Sequence, residues 1–368
     1  MYPFLLIILS MSILACKNQE LDNKTPSPND SIASEVTIGA HNNSWSILEK
    51  RLSTPVAASK ELQHILAAIP APDVMQTKEF KIQGKESWEN FIKGIDANTI
   101  KGLDQLKEQF LVSIEKDKVG DVPVQYITPT SIPQKHENHL FIHLHAGAYV
   151  LGGGDASIPE AIIIAATANI PVISIDYRMP PNHPFPAAID DVVKVYKHLL
   201  NKYSGIKMAL GGTSAGGGLS LASIHKFKEL NLDLPAAVFA GTPWSDLSKT
   251  GDSQYTNEGI DHILVSYDGW MKDAAKLYGG EYDLKNPLIS PVYGDFTSFP
   301  PTYLVTGTRD LLLSDVVRTH RKIKLAEGIA ELNVYEGMSH AGYLLFPNIP
   351  ESTQVYTELG EFLTKYLQ

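Results

Sequence analysis

The chain has 368 residues, of which 43% are hydrophobic and 20% are charged, and its formal net charge is -10. This composition is that of a globular protein, and the length is enough for one large α/β domain with an additional segment. The acidic charge and the lack of a Lys/Arg-rich run argue against nucleic acid as a partner. Because Cys16 is the single cysteine, no intrachain disulfide forms and the fold must be stabilised by its core.

The first 16 residues are typical of an export signal. An apolar stretch over residues 5–15 is too short to span a bilayer and is followed at once by polar sequence. It ends in Ile13-Leu14-Ala15-Cys16, which resembles a bacterial lipobox. We expect residues 1–16 to be a signal peptide and a lipidated Cys16 to anchor an exported lipoprotein to a membrane, in the periplasm or at the outer membrane. No Lys or Arg precedes the apolar stretch and Leu14 is bulky, so a secretory signal or an uncleaved anchor is the alternative.

Two further segments precede the α/β region. Residues 17–44 are polar, with two prolines and several Asn and Ser, and are predicted to be a flexible tether. Residues 45–118 contain two stretches with apolar residues at helical spacing, from Ile47 to Ile69 and from Trp88 to Phe110. They are therefore predicted to be a helical region that is interrupted at prolines.

Over residues 119–368, short β-rich runs alternate with helical segments. This alternation predicts a mostly parallel sheet flanked by helices. The predicted strands are Val124 to Ile127, Leu140 to Leu144, Val172 to Tyr177, Met208 to Gly211, Ala236 to Ala240, Tyr303 to Thr306 and Leu332 to Tyr335.

The segment Gly212-Thr213-Ser214-Ala215-Gly216 lies between a predicted strand and a helix-compatible stretch. That context is required of a nucleophile elbow, in which a strained turn exposes a reactive serine. Gly212 and Gly216 leave room where side chains would collide. Because Gly and Ser are common in loops, the pattern is weak by itself. The prediction that Ser214 is a nucleophile therefore depends on its surroundings.

A second segment supports the prediction that Ser214 is a nucleophile. His145-Ala146-Gly147-Ala148 follows the predicted strand Leu140 to Leu144, where a loop of small residues brings backbone N–H groups close to a carbonyl oxygen that becomes an oxyanion. The alternative is a turn of small residues with a structural role for His145.

His340 is the predicted general base. It follows the last predicted strand, at the carboxyl edge where catalytic groups of open α/β sheets cluster, and it comes last in the chain order Ser, acid, His. Three aspartates compete for the role of the acid. Asp310 is favoured because it comes directly off the penultimate strand, whereas Asp246 has turn or cap character and Asp315 would begin a helix. Such a set performs acyl transfer and needs no metal or organic cofactor.

Together these segments resemble the bacterial hormone-sensitive-lipase family of esterases over about residues 120–368. The family's His-Gly-Gly-Gly loop corresponds to residues 145–148, its second signature to Asp176-Tyr177-Arg178-Met179-Pro180-Pro181 and the residues up to Ala188, and its elbow to residues 212–217. Thr213 is typical of the branch with a Gly-Thr-Ser-Ala-Gly elbow.

The resemblance implies an α/β-hydrolase fold with an N-terminal helical cap over the acyl pocket. It also implies a serine carboxylesterase for short-to-medium acyl esters, frequent homodimers, Asp310 as the acid, and an oxyanion hole made by the N–H groups of Gly147, Ala148 and Ala215. The alanines at positions 146 and 148 depart from the family pattern, since each adds a methyl group and restricts φ. A lactone or amide hydrolase with the same residues, or a silent small-ligand binding protein, is the alternative.

Overall fold

A sheet of eight strands runs through residues 51–368, which are the residues that this computed structural model describes. The strands are β1 (Val112–Val119), β2 (Val122–Pro129), β3 (His139–Leu144), β4 (Val172–Ile175), β5 (Lys207–Thr213), β6 (Ala237–Gly241), β7 (Thr302–Gly307) and β8 (Ala330–Tyr335). They are ordered β1-β2-β4-β3-β5-β6-β7-β8. The pairs β1–β2 and β2–β4 are antiparallel, and all other pairs are parallel.

Helices cover both faces of this sheet, so the predicted architecture is confirmed. They are α1 (Lys60–Ala68), α2 (Val74–Glu79), α3 (Lys85–Lys101), α4 (Leu103–Phe110), α5 (Pro159–Ala168), α6 (Ala187–Lys202), α7 (Ala215–Glu229), α8 (Ser253–Thr256), α9 (Trp270–Gly279), α10 (Leu313–Leu325), α11 (Gly342–Leu345) and α12 (Pro350–Tyr366). Within residues 51–368, no helix is both long enough and apolar enough to cross a bilayer.

The hydrophobic core has two parts, one on each face of the sheet. Helices α5 and α12 pack on one face, and α6, α7 and α10 pack on the other. Strand β3 contributes to both, because Ile142 belongs to the core under α7 and Phe141 to the core under α5. Strands that are buried on both faces have nearly continuous apolar sequences, which is why they could be predicted.

All seven predicted strands are present, but β1 was missed. The helical part of the predicted 45–118 segment ends with α4 at Phe110, and β1 starts at Val112 and pairs with β2. Most residues of β1 are exposed or half-buried, because this strand lies at the edge of the sheet. Its charged sequence therefore lacks the apolar alternation that predicts a strand. The predicted signal peptide, tether and Cys16 lie outside the described residues.

The N-terminal helices pack at two places on the α/β domain. Helix α1 lies against the start of α12, where the backbone N–H and the hydroxyl of Ser59 both donate to the carboxylate of Glu351 at 2.8 Å. Helix α3 lies near the carboxyl edge of the sheet, where Asp96 accepts a hydrogen bond from the N–H of Gly152 at 2.8 Å. This second contact joins the helical region to the loop that follows β3.

Candidate active site

Three loops at the carboxyl edge of the sheet bring Ser214, Asp310 and His340 together. Ser214 lies directly after β5, Asp310 follows β7, and His340 follows β8. The Nε2 atom of His340 is 2.9 Å from the hydroxyl oxygen of Ser214. Its Nδ1 atom is 3.1 Å from an oxygen of Asp310. The imidazole therefore bridges a hydroxyl and a carboxylate, and all three residues are buried.

The backbone around Ser214 forms a tight turn between β5 and α7. Ser214 has a φ of 59° and a ψ of -118°, which is a sparsely populated conformation for a residue with a side chain. The turn is held because the Ser214 N–H donates to the carbonyl of Gly241 at 2.8 Å. A Cβ atom at Gly212 or Gly216 would overlap the carbonyl oxygen of Leu144. These two glycines therefore allow β3 to approach the turn, as the sequence pattern predicts.

The carboxylate of Asp310 is fixed by several donors. One oxygen accepts from the N–H of Leu312 at 2.8 Å and the other accepts from the hydroxyl of Thr306 at 2.8 Å. Burial by itself raises the pKa of Asp310, but the charge of His340 and the hydrogen bonds from His340 and Thr242 outweigh it and lower the pKa. Asp310 is therefore ionised when it accepts from the Nδ1–H of His340, which leaves Nε2 free to accept a proton from Ser214.

Thr242 is a further residue of this site that the sequence analysis missed. Its hydroxyl donates to Asp310 and lies 3.1 Å from Nδ1 of His340. It follows β6, the strand between the Ser214 strand and the Asp310 strand. The sequence does place Thr242 directly after a predicted strand, where site residues cluster. A threonine at such a position is too common to indicate a functional residue.

The structure does not bring the other candidate acids to His340. The buried carboxylate of Asp246 accepts from the Ser248 N–H at 2.8 Å, from the hydroxyls of Ser248, Thr250 and Tyr293, and from Arg318. Asp315 accepts from the N–H of Asp246 at 2.9 Å. Asp246 and Asp315 thus link the segment after β6 to α10, which is a structural role.

The loop after β3 has an unusual backbone at the residues expected to form the oxyanion hole. Gly147 has a φ of 122°, Ala148 of 53° and Tyr149 of 62°. Ala148 thus adopts a left-handed conformation despite its methyl group. Among residues 51–368, the Gly147 and Ala148 N–H groups donate no hydrogen bond. Ala215 begins α7, where the first N–H groups of a helix have no intrahelical acceptor. Within the described residues, these three N–H groups therefore have no acceptor, which an oxyanion hole requires.

His145 holds this loop in place. Its ring stacks on Tyr177 with 4.0 Å between ring centroids, and the Tyr177 hydroxyl donates to the His145 carbonyl at 2.7 Å. The Nδ1–H of the ring donates to the carbonyl of Ala146 at 2.8 Å. Burial lowers the pKa of His145 to about 3, so the ring is neutral. His145 therefore stabilises the loop after β3 through its stacking on Tyr177 and its hydrogen bond to the backbone of Ala146.

A buried cluster of polar side chains contacts Thr213, the residue before Ser214. The sequence analysis did not predict this cluster. Glu160 at the start of α5 accepts from the backbone N–H of Thr213 at 3.0 Å and from its hydroxyl. The same hydroxyl lies 2.6 Å from that of Tyr343, which is on α11 just after His340. The residue before Ser214 is therefore tied to the helix that follows His340.

Comparisons with known proteins show the family of this chain. Residues 141–344 match a family described as alpha/beta hydrolase fold. The chain is 29% identical over 246 residues to an acetyl-hydrolase of Streptomyces hygroscopicus, across 67% of this chain and 80% of that protein. It is also 29% identical over 234 residues to an esterase of Acinetobacter venetianus, across 63% of this chain and 76% of that protein.

Solved structures give the same result. The structure of an esterase named E25 aligns with a TM-score of 0.86 and 45% sequence identity, covering 89% of this chain and 100% of that one. An esterase from the bacterial hormone-sensitive lipase family aligns with a TM-score of 0.67 and 29% identity, covering 85% of this chain and 100% of that one.

Proposed function

Since this chain belongs to the α/β-hydrolase family, in its bacterial hormone-sensitive lipase group, and is a carboxylic-ester hydrolase, we propose that it cleaves short-to-medium acyl esters through Ser214, His340 and Asp310. The observation that carries the proposal is the pair of contacts made by His340, 2.9 Å to Ser214 and 3.1 Å to Asp310. The preference for short acyl groups is supported by the relative that is named an acetyl-hydrolase.

The reaction follows from these contacts. Nε2 of His340 takes the proton of the Ser214 hydroxyl while the serine oxygen attacks the ester carbonyl. The oxyanion is bound by the N–H groups of Gly147, Ala148 and Ala215, and His340 then gives its proton to the leaving alcohol. Water next loses a proton to His340 and attacks the acyl-enzyme. Collapse of the second intermediate releases the carboxylic acid and returns the proton to Ser214.

A series of p-nitrophenyl esters with acyl chains from acetyl to palmitoyl tests this function. We expect kcat/KM to be highest among the short and medium chains, and Ser214→Ala to abolish turnover while leaving the melting curve nearly unchanged. A fluorophosphonate should label the native protein and leave the Ser214→Ala variant unlabelled. A native protein that is labelled but turns over only amides or lactones would contradict the ester assignment, and one that is not labelled would contradict the acyl-enzyme.

We propose two further properties of the whole protein. The lipobox-like sequence that ends in Cys16 supports an exported protein that is anchored through this lipidated residue. Strand β8 ends the sheet, and Val334 on it is 45% exposed, which supports a homodimer that covers this edge. Light scattering on purified protein tests the dimer, since a monomer mass at micromolar concentration would contradict it.

A further inference from the structure

The acid and the base lie on loops whose backbone-to-backbone hydrogen bonds to each other end before Asp310 and His340. The N–H of Thr308 donates to Tyr335 at 3.0 Å, and the N–H of Arg309 donates to Met338 at 3.1 Å. Beyond these contacts the backbone of Asp310 has no direct hydrogen bond to the His340 loop. Contacts with another segment of the chain therefore contribute to the backbone positions of Asp310 and His340.

A third segment bridges them, and we call residues 253–264 the clamp segment. It lies in the long connection between β6 and β7. The amide of Asn257 donates to the carbonyl of Asp310 at 2.8 Å, and the N–H of His262 donates to the hydroxyl of Ser339 at 3.2 Å. The clamp segment therefore contacts the residue that carries the acid on one side and the neighbour of the base on the other.

Asp261 is the centre of this arrangement. One oxygen of its carboxylate accepts from the N–H of Leu311 at 2.7 Å and from the N–H of His340 at 3.3 Å. The other oxygen accepts from the N–H groups of Ile263 and Leu264 at 2.8 and 3.2 Å. A single oxygen atom thus joins the residue after the acid to the backbone of the base.

The carboxylate of Asp261 is fully buried beside that of Asp310. Asp261 is 0% exposed, and no Lys or Arg pairs with it within residues 51–368. Burial and the neighbouring charge of Asp310 raise the pKa of Asp261 to about 6. A second buried carboxylate beside the acid is costly, and it is tolerated here because it accepts four backbone N–H groups.

We propose that Asp261 is a positioning residue for ester hydrolysis, which holds the Asp310 and His340 loops at the separation that the contact between their side chains requires. The proposal rests on the proposed function, because it assumes that these two residues act on Ser214. Catalytic groups that are displaced by about 1 Å lose on the order of 100-fold in rate. The effect of Asp261 should therefore appear in kcat.

The test is Asp261→Asn, which keeps the shape of the side chain but replaces one acceptor oxygen by an amide. We expect kcat for p-nitrophenyl acetate to fall about 10- to 100-fold while KM changes less than about threefold, because the loops shift and the substrate site does not. The matched control is Asp246→Asn. It changes an equally buried aspartate of the same β6–β7 connection that bonds to neither loop, and kcat should stay within about threefold.

A double-mutant cycle separates positioning from general damage to the fold. If Asp261 acts through the contact between acid and base, its replacement in an Asp310→Asn background should cost less than about threefold, because that contact is already impaired. Equal factors in both backgrounds would overturn the proposal, as would kcat within threefold of the native value for the folded single variant. If the native protein does not turn over the ester at all, by contrast, the proposed function itself is wrong.

A second variant covers the case in which Asp261→Asn does not fold. Asn257→Ala removes the two bonds from its amide to the acid loop, at the carbonyls of Thr308 and Asp310. We expect a smaller loss of kcat, about 3- to 10-fold, that again disappears in the Asp310→Asn background. Native kcat in this variant, or a loss that multiplies with that of Asp310→Asn, would overturn the proposal.

Discussion

A second serine–histidine–carboxylate arrangement in this protein shows that such contacts alone do not make an active site. It consists of Ser174, His143 and Glu160. The Ser174 hydroxyl is 2.9 Å from Nδ1 of His143, and Nε2 of His143 is 3.2 Å from Glu160. These distances resemble those at Ser214, yet Ser174 lies within β4 and is 0% exposed, whereas Ser214 lies on a turn and is 8% exposed. Access to substrate therefore depends on the turn after β5.

Asp310 and Asp246 are distinguished by what their removal costs. Asp310→Asn favours the wrong tautomer of His340 and removes the charge that stabilises the imidazolium, so kcat should fall about 10⁴-fold. Asp246→Asn should leave kcat within about threefold and lower the free energy of unfolding by about 1 to 3 kcal/mol, because a buried acceptor of several donors is lost. Kinetics beside melting curves measure both, with Ser214→Ala as the inactive reference. A nearly inactive but folded Asp246→Asn would reverse the assignment.

The pH dependence of the rate reports the protonation of His340 and of the neighbouring Asp261, whose pKa burial and the charge of Asp310 raise to about 6. Hydrogen bonds and the charge of His340 outweigh the effect of burial and lower the pKa of Asp310, so Asp310 stays ionised over the assay range. His340 must be neutral to accept the Ser214 proton, and kcat/KM should therefore rise with pH and then level off. Stopped assays in buffers of constant ionic strength measure the profile. A flat profile from about pH 5 to 9 is incompatible with His340 as the base.

At the scale of single elements, close contact between β3 and the start of α7 is the feature most sensitive to a small change. In Gly216→Ala the new methyl group would overlap the carbonyl oxygens of Leu144 and His145. We expect a loss of at least about 3 kcal/mol in the free energy of unfolding, measured by denaturant titration. Gly94→Ala is the control, because Gly94 is an exposed residue of α3 with no atom within 4 Å of the new Cβ.

The control should behave in the opposite way. Alanine is the better helix former, so Gly94→Ala should raise the free energy of unfolding by about 0.5 to 1 kcal/mol. If Gly216→Ala were as stable as the native protein, the tight approach of β3 to the elbow would be wrong.

The elements of this fold differ in how far the sequence predicts them. The parallel strands and the elbow follow from local patterns, since continuous apolar runs and paired glycines are visible within a few residues. The edge strand β1 and the short helix α2 have no such pattern. Asp261 and Thr242 could not be found either, because they become part of the site only when connections of the chain that are distant in sequence fold against the loops of Asp310 and His340.

At the scale of the whole molecule, the proposed catalytic residues come from loops spread over much of the chain, and the sheet brings these loops to one edge. Ser214 and His340 are 126 positions apart, and Thr242 lies between them in both sequence and strand order. The N-terminal helices reach this edge at the contact of Asp96 with Gly152. They therefore couple the proposed oxyanion loop to the part of the chain that precedes the sheet.

The proposed anchor can be tested separately from the chemistry, because Cys16 precedes every strand and helix that the structure describes, which lie within residues 60–366. One acyl chain binds a membrane only marginally, whereas the several chains of a bacterial lipoprotein hold firmly. Cys16→Ala should therefore move the protein from the membrane to the soluble fraction with unchanged esterase activity. Ser12→Ala, a change of similar size in the same apolar stretch, should leave it on the membrane. If both variants fractionate like the native protein, and mass spectrometry finds a mature N-terminus other than residue 16, the lipid anchor at Cys16 is wrong.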